Sequence, residues 1–162
     1  TLPPTVYPFA LYRWARQGVK KDEELVPVVD HAEVAASLLE LLQASSDAPH
    51  LELPAQRVWD DLDTVHHQRW LSESTQHADD NRQLVGVRIQ SLTASHRARR
   101  ALLEEQLTKA TNEKIRVMKQ AELERSQVDF DARVAALQRA ADSGDIRATP
   151  AVFGVIEVRR SA

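Results

Sequence analysis

Residues 95–127 are the stretch on which the fold prediction depends, with the sequence SHRARRALLEEQLTKATNEKIRVMKQAELERSQ. The stretch contains neither Pro nor Gly, and it combines many charged side chains with Leu, Ile and Met at intervals. Helices with a packed apolar stripe and a solvated opposite face have this composition. It is compatible with a passive structural helix, a coiled coil that binds a partner, or a basic arm for nucleic acid.

Two apolar stripes that meet in this stretch predict an antiparallel helical hairpin. Their members, mostly three or four residues apart, are Val85, Ile89, Leu92, His96, Leu103, Leu107 and Ala110 in the first and Ile115, Leu123, Phe130, Val134, Leu137 and Ala141 in the second. Stripes this narrow are typical of coiled-coil seams, and helices of about 30 residues would each span about 45 Å. Thr111 and Asn112 favour helix caps over helix interiors, so the turn is expected at Lys109–Lys114. One uninterrupted helix is the alternative.

The N-terminal part of the chain predicts a β-hairpin followed by a short helix. Residues 5–18 and 25–30 are rich in aromatic and apolar side chains, with a polar turn between them. Pro8 favours an edge strand or the start of a strand, and Pro27 favours an edge position, because proline has no N–H to donate to a neighbouring strand. Asp30 is a good N-cap with Glu33 three residues later, so a helix is expected over about 32–45.

From about residue 55 the sequence predicts helices. No Pro occurs between Pro54, which suits the first position of a helix, and Pro150, and Gly144 suits the C′ position after the last helix. The first of these helices is expected to lie against the sheet through Val58, Trp59, Leu62, Val65 and Trp70. Residues 151–160 then predict a final strand that joins the N-terminal hairpin.

The predicted fold class is therefore α+β, with a small antiparallel sheet, a short helix and a long, mostly antiparallel helical hairpin or coiled coil. Residues 1–54 and 145–162 are expected to form a small α+β base. Residues 55–144 are expected to form a coiled-coil-like insertion in it. The chain begins with Thr1 rather than Met, which favours excision from a longer polypeptide.

Composition limits the functional classes. The chain has no Cys, which excludes disulfides and thiolate metal sites and suits a cytoplasmic protein. No apolar run approaches the roughly 18 residues of a membrane-spanning helix, and no signal peptide is evident, so no membrane partner is expected. The net charge of −3 conceals a basic block, because residues 81–120 carry nine Lys and Arg against three Asp and Glu. Such a block either pairs with acidic neighbours or contacts phosphates.

No residue set in the chain predicts a reaction. His66 and His67 are adjacent and point about 100° apart on a helix, which does not suit a zinc site. Asp60 and Asp63 could share a helical face as paired carboxylates, but acidic residues near a helix start are also expected from the helix dipole. No nucleophile elbow or phosphate-binding loop is present. We therefore expect no catalytic residue, no metal site and no enzymatic activity in this segment alone.

The basic cluster is the strongest candidate site. Its members are Arg97, Arg99, Arg100, Lys109, Lys114, Arg116 and Lys119. A cationic tip favours phosphate binding through counterion release, although long charged side chains commonly just solvate a helix. No aromatic residue lies between Trp70 and Phe130, so contacts would be to the nucleic-acid backbone, without base stacking or sequence preference.

Three stretches resemble the C-terminal region of bacterial SNF2-type helicase-like ATPases. They are LPPTVYPFALYRWARQGVKKDEELVPVV from residue 2, residues 95–146 and GVIEVRR from residue 154. The family includes the RNA-polymerase-associated ATPase and the helicase-like component of the DISARM phage-defence system. The resemblance covers most of the chain, and it lies in layout and helix sequence. The Walker and helicase motifs are absent here.

The resemblance implies a small mixed domain with a long helical pair that follows the two ATPase lobes. ATP and Mg²⁺ would then belong to the parent motor, and this segment would hold no cofactor. Its expected role is a non-catalytic arm that docks the ATPase lobes to a partner protein or to the backbone of double-stranded DNA. The ATNEKIR segment is similar to the family's helix-to-helix junction, which supports a turn at residues 111–113. The alternative is a stand-alone coiled-coil scaffold that homodimerises.

Overall fold

The computed structural model describes residues 5–159 and confirms the α+β class. Its elements in chain order are β1 (Thr5–Arg16), β2 (Asp22–Val29), α1 (Ala32–Gln43), α2 (Gln56–Lys109), α3 (Glu113–Ala141) and β3 (Ile146–Val158). They divide between two compact units. Among the described residues, the first unit comprises residues 5–17, 21–76 and 145–159, and the second comprises residues 18–20 and 77–144. The base and insertion boundaries inferred from the sequence stay a prediction.

The three strands form one antiparallel sheet in the order β2-β1-β3. The predicted hairpin and its closure by the last strand are confirmed, and Pro27 lies on an edge strand as expected. Of the two positions that Pro8 favours, the edge strand is wrong, because β1 is the central strand, and the proline instead lies near the start of β1. Pro8 pairs with Val155 of β3, whereas the pairing with β2 starts only at Phe9. The proline therefore sits where β1 has a partner on one side, and its missing N–H interrupts no two-sided ladder.

The final strand starts five residues earlier than predicted, at Ile146. Leu11 pairs with Val152 and Tyr12 with Pro150, so Ala151 is the extra residue of a β-bulge. An edge strand tolerates proline beside a bulge, which is why Pro150 does not end the strand. The predicted end at Arg160 falls outside the described residues.

Both faces of β1 are covered, and this explains its almost continuous run of buried side chains. Ala10, Tyr12 and Trp14 lie on one face and pack with Leu62 of α2. The opposite face of the strand carries Phe9 and Leu11, which pack with α1 through the buried residues Val34 and Leu38. The long N-terminal part of α2 therefore forms one layer, and the short α1 forms the other.

The first turns of α2 contact the sheet largely as predicted. Trp59 and Trp70 are half-buried against the same cluster as Leu62. The Trp70 indole Nε1–H donates to the carbonyl oxygen of Ile146 at 2.8 Å. Val65 was expected in this contact, but its side chain is 55% exposed. One helical face is too narrow to include it together with Leu62 and the two tryptophans.

Helix α1 begins at Ala32 as predicted, but two residues assigned to helix starts hold other positions. The N-cap of α1 is His31 and not Asp30, and the His31 Nδ1 accepts from the Val34 N–H at 3.4 Å. His31 also contacts the Tyr7 ring, with centroids 5.1 Å apart, which holds it at the cap. Helix α2 begins at Gln56, so Pro54 precedes the helix and does not occupy its first position.

In the second unit, the predicted antiparallel hairpin and its turn are confirmed. Helix α2 ends at Lys109 and α3 begins at Glu113, so the uninterrupted helix is wrong. The Asn112 Oδ1 caps α3 by accepting from the Lys114 N–H at 2.9 Å. Across the seam, the ring of His96 stacks on Phe130 with centroids 4.1 Å apart. Helix α2 is one element of 54 residues, where the sequence suggested separate helices of about 30.

A buried asparagine closes the other end of the hairpin, within the second unit. Asn81 is 5% exposed, and its Oδ1 accepts from the Val19 N–H at 2.9 Å. Its Nδ2 donates to the carbonyl oxygens of Ala140 at 2.7 Å and Ala141 at 3.2 Å. One side chain thus joins residues 18–20 to the last turn of α3, where carbonyls have no partner within the helix.

The prediction that Gly144 occupies the C′ position is wrong. Helix α3 ends at Ala141 with Asp142 as its C-cap, and the only positive-φ glycine in residues 5–159 is Gly18. A Cβ added at Gly144 would lie 2.8 Å from the Cβ of Asn81. Gly144 is therefore required for close approach to Asn81 and not for a left-handed backbone.

Two glycine-to-alanine substitutions are expected to change stability in opposite directions. Gly144→Ala should lower the free energy of unfolding by about 1–3 kcal/mol, because the new methyl group overlaps Asn81. Gly86→Ala should raise it by about 1 kcal/mol, because Gly86 lies inside α2 with no atom within 4 Å of the added Cβ. Urea unfolding followed by circular dichroism measures both. Equal effects of the two substitutions would contradict the close contact.

Candidate functional site

The seven cationic residues singled out in the sequence all lie in the second unit, on the helical hairpin. Four of them form ion pairs with helix carboxylates. Arg99 and Lys119 both lie 3.4 Å from Glu122. The other two pairs are Arg100 with Glu104 at 2.8 Å and Lys109 with Glu105 at 2.6 Å. The cations of three of these pairs are exposed, whereas the side chain of Lys119 is only 21% exposed and its pair is half-buried. Exposed pairs contribute about 0–1 kcal/mol each, so those of Arg99, Arg100 and Lys109 can rearrange for a partner.

The remaining three cations are exposed. Within residues 5–159, the side chains of Arg97, Lys114 and Arg116 form no ion pair. Lys114 and Arg116 flank Ile115 in the first turn of α3, immediately after the turn. The structure therefore brings the seven residues to one end of the hairpin, but it divides them between paired and unpaired cations and between different faces.

Three apolar side chains are exposed at this same end of the hairpin. Only one of them was predicted to lie in the seam. Ile115 was placed in the second stripe, but it is 44% exposed. Leu102 and Met118 are each 53% exposed. Helical spacing would have indicated Met118, since it lies three residues after Ile115 and four before Glu122.

These residues define a continuous surface, which we call the Met118 flank. Ile115, Met118, Lys119 and Glu122 have the spacing of one face of α3, and Arg99 and Leu102 share a face of α2. The ion pair of Arg99 with Glu122 joins the two faces across the seam. The Met118 flank therefore carries three exposed apolar side chains beside two cations that share one carboxylate.

A groove elsewhere along the seam has the opposite balance of charge. Its lining includes Arg100 with the carboxylates of Glu104 and Glu124, and it contains no residue of the Met118 flank. Its apolar side chains are sheltered, since Leu107 and Leu123 are half-buried. Cations and exposed apolar side chains therefore occur together on the Met118 flank, which is one part of the hairpin surface. The groove does not extend this flank.

The first unit contains a polar cluster under the sheet that sequence reasoning missed. The Tyr12 hydroxyl donates to the Asp63 Oδ1 at 2.6 Å, and the Trp14 Nε1–H donates to the His66 Nε2 at 2.9 Å. The rings of Tyr12 and His66 are stacked with centroids 3.4 Å apart. Burial, followed by the hydrogen bond to Asp63, raises the pKa of Tyr12, so its hydroxyl remains a donor.

The carboxylates and histidines that were considered as catalytic or metal-binding groups each contact other side chains, within this cluster or beside it. Asp63 accepts from Tyr12, while Asp60 accepts from Gln56 Nε2 at 3.1 Å, so the two carboxylates serve different partners. His66 accepts from an indole, and His67 stacks on Trp70 with centroids 5.7 Å apart. In residues 5–159, no group of three or more His, Cys, Asp or Glu side chains is placed to hold a metal ion.

The buried His66 should make stability depend on pH. Burial lowers the pKa of His66, with His67 and Arg69 adding to the effect and Asp63 opposing it. An unfolded histidine takes up a proton near pH ~6.5. In the folded state, His66 takes up the proton less readily. Its contribution to the free energy of unfolding is therefore complete above pH ~6.5 and declines as the pH falls below that value. The expected loss is at most about 1.4 kcal/mol per pH unit.

Urea unfolding between pH 7.5 and 5.5 measures this loss, with His66→Gln as the control. Glutamine offers an oxygen that can accept from the Trp14 N–H, but it does not titrate. The wild-type protein should lose stability more steeply than His66→Gln over this range. Parallel pH profiles would show that His66 has the same proton affinity in both states.

None of the helices in residues 5–159 combines the length and the apolar character needed to cross a membrane. Comparisons of the chain with protein-family models, with curated proteins and with solved structures found no match.

Proposed function

We propose that this chain is a non-catalytic accessory segment at the C-terminal end of a cytoplasmic SNF2-type DNA-dependent ATPase, where its helical hairpin docks a partner protein or the backbone of double-stranded DNA. The observation that most strongly supports this proposal is the exposure of Leu102, Ile115 and Met118 among cations at the end of the hairpin. Exposed apolar side chains next to charges are typical of a docking surface. ATP and Mg²⁺ would be bound by the lobes of the parent motor.

The hairpin is well suited to an arm. Its turn is capped by Asn112, its base is closed by the buried Asn81, and an ion pair and an aromatic stack cross the seam between them. A preorganised surface loses little conformational entropy when it binds. The resemblance to the region that follows SNF2 ATPase lobes supports an assignment to such a motor, including the motors of phage-defence systems.

The intact mass of the native gene product tests the link to a motor. An immunoblot with an antibody to this chain should show a band several times larger than 18.2 kDa, followed by detection of ATPase sequence in that band by mass spectrometry. A native product of about 18.2 kDa, without ATPase lobes, would refute the proposal.

A contact with the DNA backbone has its own test. If the hairpin end binds duplex DNA, affinity should fall steeply with salt and be lost when Lys109, Lys114, Arg116 and Lys119 are all replaced by Glu. Fluorescence anisotropy with a labelled duplex at several salt concentrations measures this. Binding that survives the fourfold substitution would refute the basic-tip contact.

The second candidate is a stand-alone scaffold that homodimerises through the hairpin. Further exposed apolar side chains on α2 and α3 favour it, with Val87 62%, Val117 60% and Val128 68% exposed. It predicts a concentration-dependent dimer in sedimentation experiments. A monomer at high micromolar concentration would exclude this alternative.

A further inference from the structure

We propose that the Met118 flank binds an acidic amphipathic helix of a partner protein, and not nucleic acid. The inference rests on the proposed function in that it uses the same end of the hairpin, and it names the chemistry of the partner. Three observations carry it: the exposed apolar side chains, their position beside Arg99 and Lys119, and the weak ion pairs that these cations form.

The apolar side chains distinguish a protein partner from a nucleic acid. Leu102, Ile115 and Met118 are 44–53% exposed on neighbouring faces of two helices. A phosphate backbone would interact with the cations but would leave these side chains in water or bury them without apolar contact. An amphipathic helix in contrast presents apolar side chains three and four residues apart, which can cover a seam between two helices. Methionine adapts its shape to such partners.

Charge complementarity indicates that the bound helix is acidic. Arg99 and Lys119 share the single carboxylate of Glu122, each at 3.4 Å, which is long for a charge-assisted hydrogen bond. One carboxylate cannot neutralise two cations, so this part of the flank keeps a positive charge. Glu or Asp side chains of a partner would supply the missing charge, and a basic helix would be repelled.

The occupant is expected to lie along the seam between α2 and α3. There its apolar face would contact Leu102, Ile115 and Met118, while its carboxylates pair with Arg99 and Lys119. The groove that contains Glu104 and Glu124 carries two carboxylates to one cation and would disfavour the same helix. The site is therefore specific to one flank.

Photocrosslinking in the cells that make the protein tests the inference. A benzophenone amino acid replaces Met118 in the native gene, and the control carries it at Val117, which is 60% exposed and points about 100° away. The Met118 probe should crosslink to a protein segment with net negative charge and apolar side chains at spacings of three and four. The Val117 probe should crosslink to that segment at least about tenfold less.

Charge reversal provides the second arm of the experiment. R99E/K119E should lower the Met118 crosslink yield by at least about tenfold, because like charges would then face each other. R97E/R116E makes the same change in charge at the same end of the hairpin, outside the Met118 flank. It should change the yield by about twofold or less.

Several outcomes would overturn the inference. They are crosslinks from Met118 to nucleic acid or lipid, crosslinks to a basic or non-amphipathic segment, yields at Met118 no higher than at Val117, and equal losses in the two double variants. The proposed function is tested separately, by the intact mass of the native gene product. An acidic helix captured from any protein by a product of about 18.2 kDa would support the flank and refute the motor.

Discussion

Trp14→Ala is expected to lower the free energy of unfolding by about 3–5 kcal/mol. Trp14 lies in the central strand with 0% exposure and is among the largest fully buried side chains. Its removal leaves a cavity beside Tyr12 and Leu62, which share its cluster. It also removes the N–H that donates to the buried His66. The loss of stability therefore combines the cost of a cavity with the cost of a lost hydrogen bond.

Trp14→Phe separates these two contributions. Phenylalanine keeps most of the apolar volume but cannot donate to His66, so a loss of about 1–3 kcal/mol is expected. Urea unfolding followed by circular dichroism at pH 7.5 measures both variants. A loss below about 1 kcal/mol for Trp14→Ala would contradict the central position of the indole in the core.

The second large effect is expected at Asn81. Asn81→Ala should cost about 3 kcal/mol, because it leaves the Val19 N–H without its acceptor and removes the amide donor from the Ala140 and Ala141 carbonyls, of which Ala140 keeps the Ser143 N–H at 3.3 Å. Gly18 adds to the constraint. It adopts a φ of +126° and approaches the Asn81 side chain so closely that an added Cβ would lie 2.4 Å from Oδ1. The backbone conformation of residues 18–20 therefore fits closely against the side-chain amide of Asn81.

Two variants control the Asn81 experiment. Asn112→Ala removes an exposed N-cap and should cost only about 1 kcal/mol. Asn81→Asp keeps an acceptor for Val19 but places a carboxylate against two carbonyl oxygens, so it should be destabilised as well. Amide hydrogen exchange in the last turns of α3 reports the local effect. A cost for Asn81→Ala no larger than that for Asn112→Ala would contradict the buried hydrogen bonds.

Local patterns were sufficient for the elements whose signals do not depend on distant residues. The turn between α2 and α3 was predicted because Thr111 and Asn112 disfavour a helix interior wherever they occur. The β-hairpin followed from two segments rich in aromatic and apolar residues on either side of a polar turn. The central position of β1 was not predicted, because the meaning of Pro8 depends on how far β2 extends beside it.

The candidate site was found in part. The basic cluster is visible in the charge distribution, and the structure places all seven residues on the hairpin. Three of the four paired cations pair within their own helix at spacings of three or four residues, and only the pair of Arg99 with Glu122 depends on the register of α2 and α3. The exposure of Leu102 and Met118 depends on how the two helices pack, which composition does not record.

The α+β class, the β-hairpin, the antiparallel helical hairpin and its turn could all be predicted from local patterns. Each of these arises from spacing, caps and turn chemistry over a few residues. Long-range packing sets the order of the sheet, the burial of His66 beneath Tyr12 and Trp14, the closure of the hairpin by Asn81 and the composition of the Met118 flank. These features join residues more than 20 positions apart, and such contacts follow from packing and register, which a local pattern does not encode.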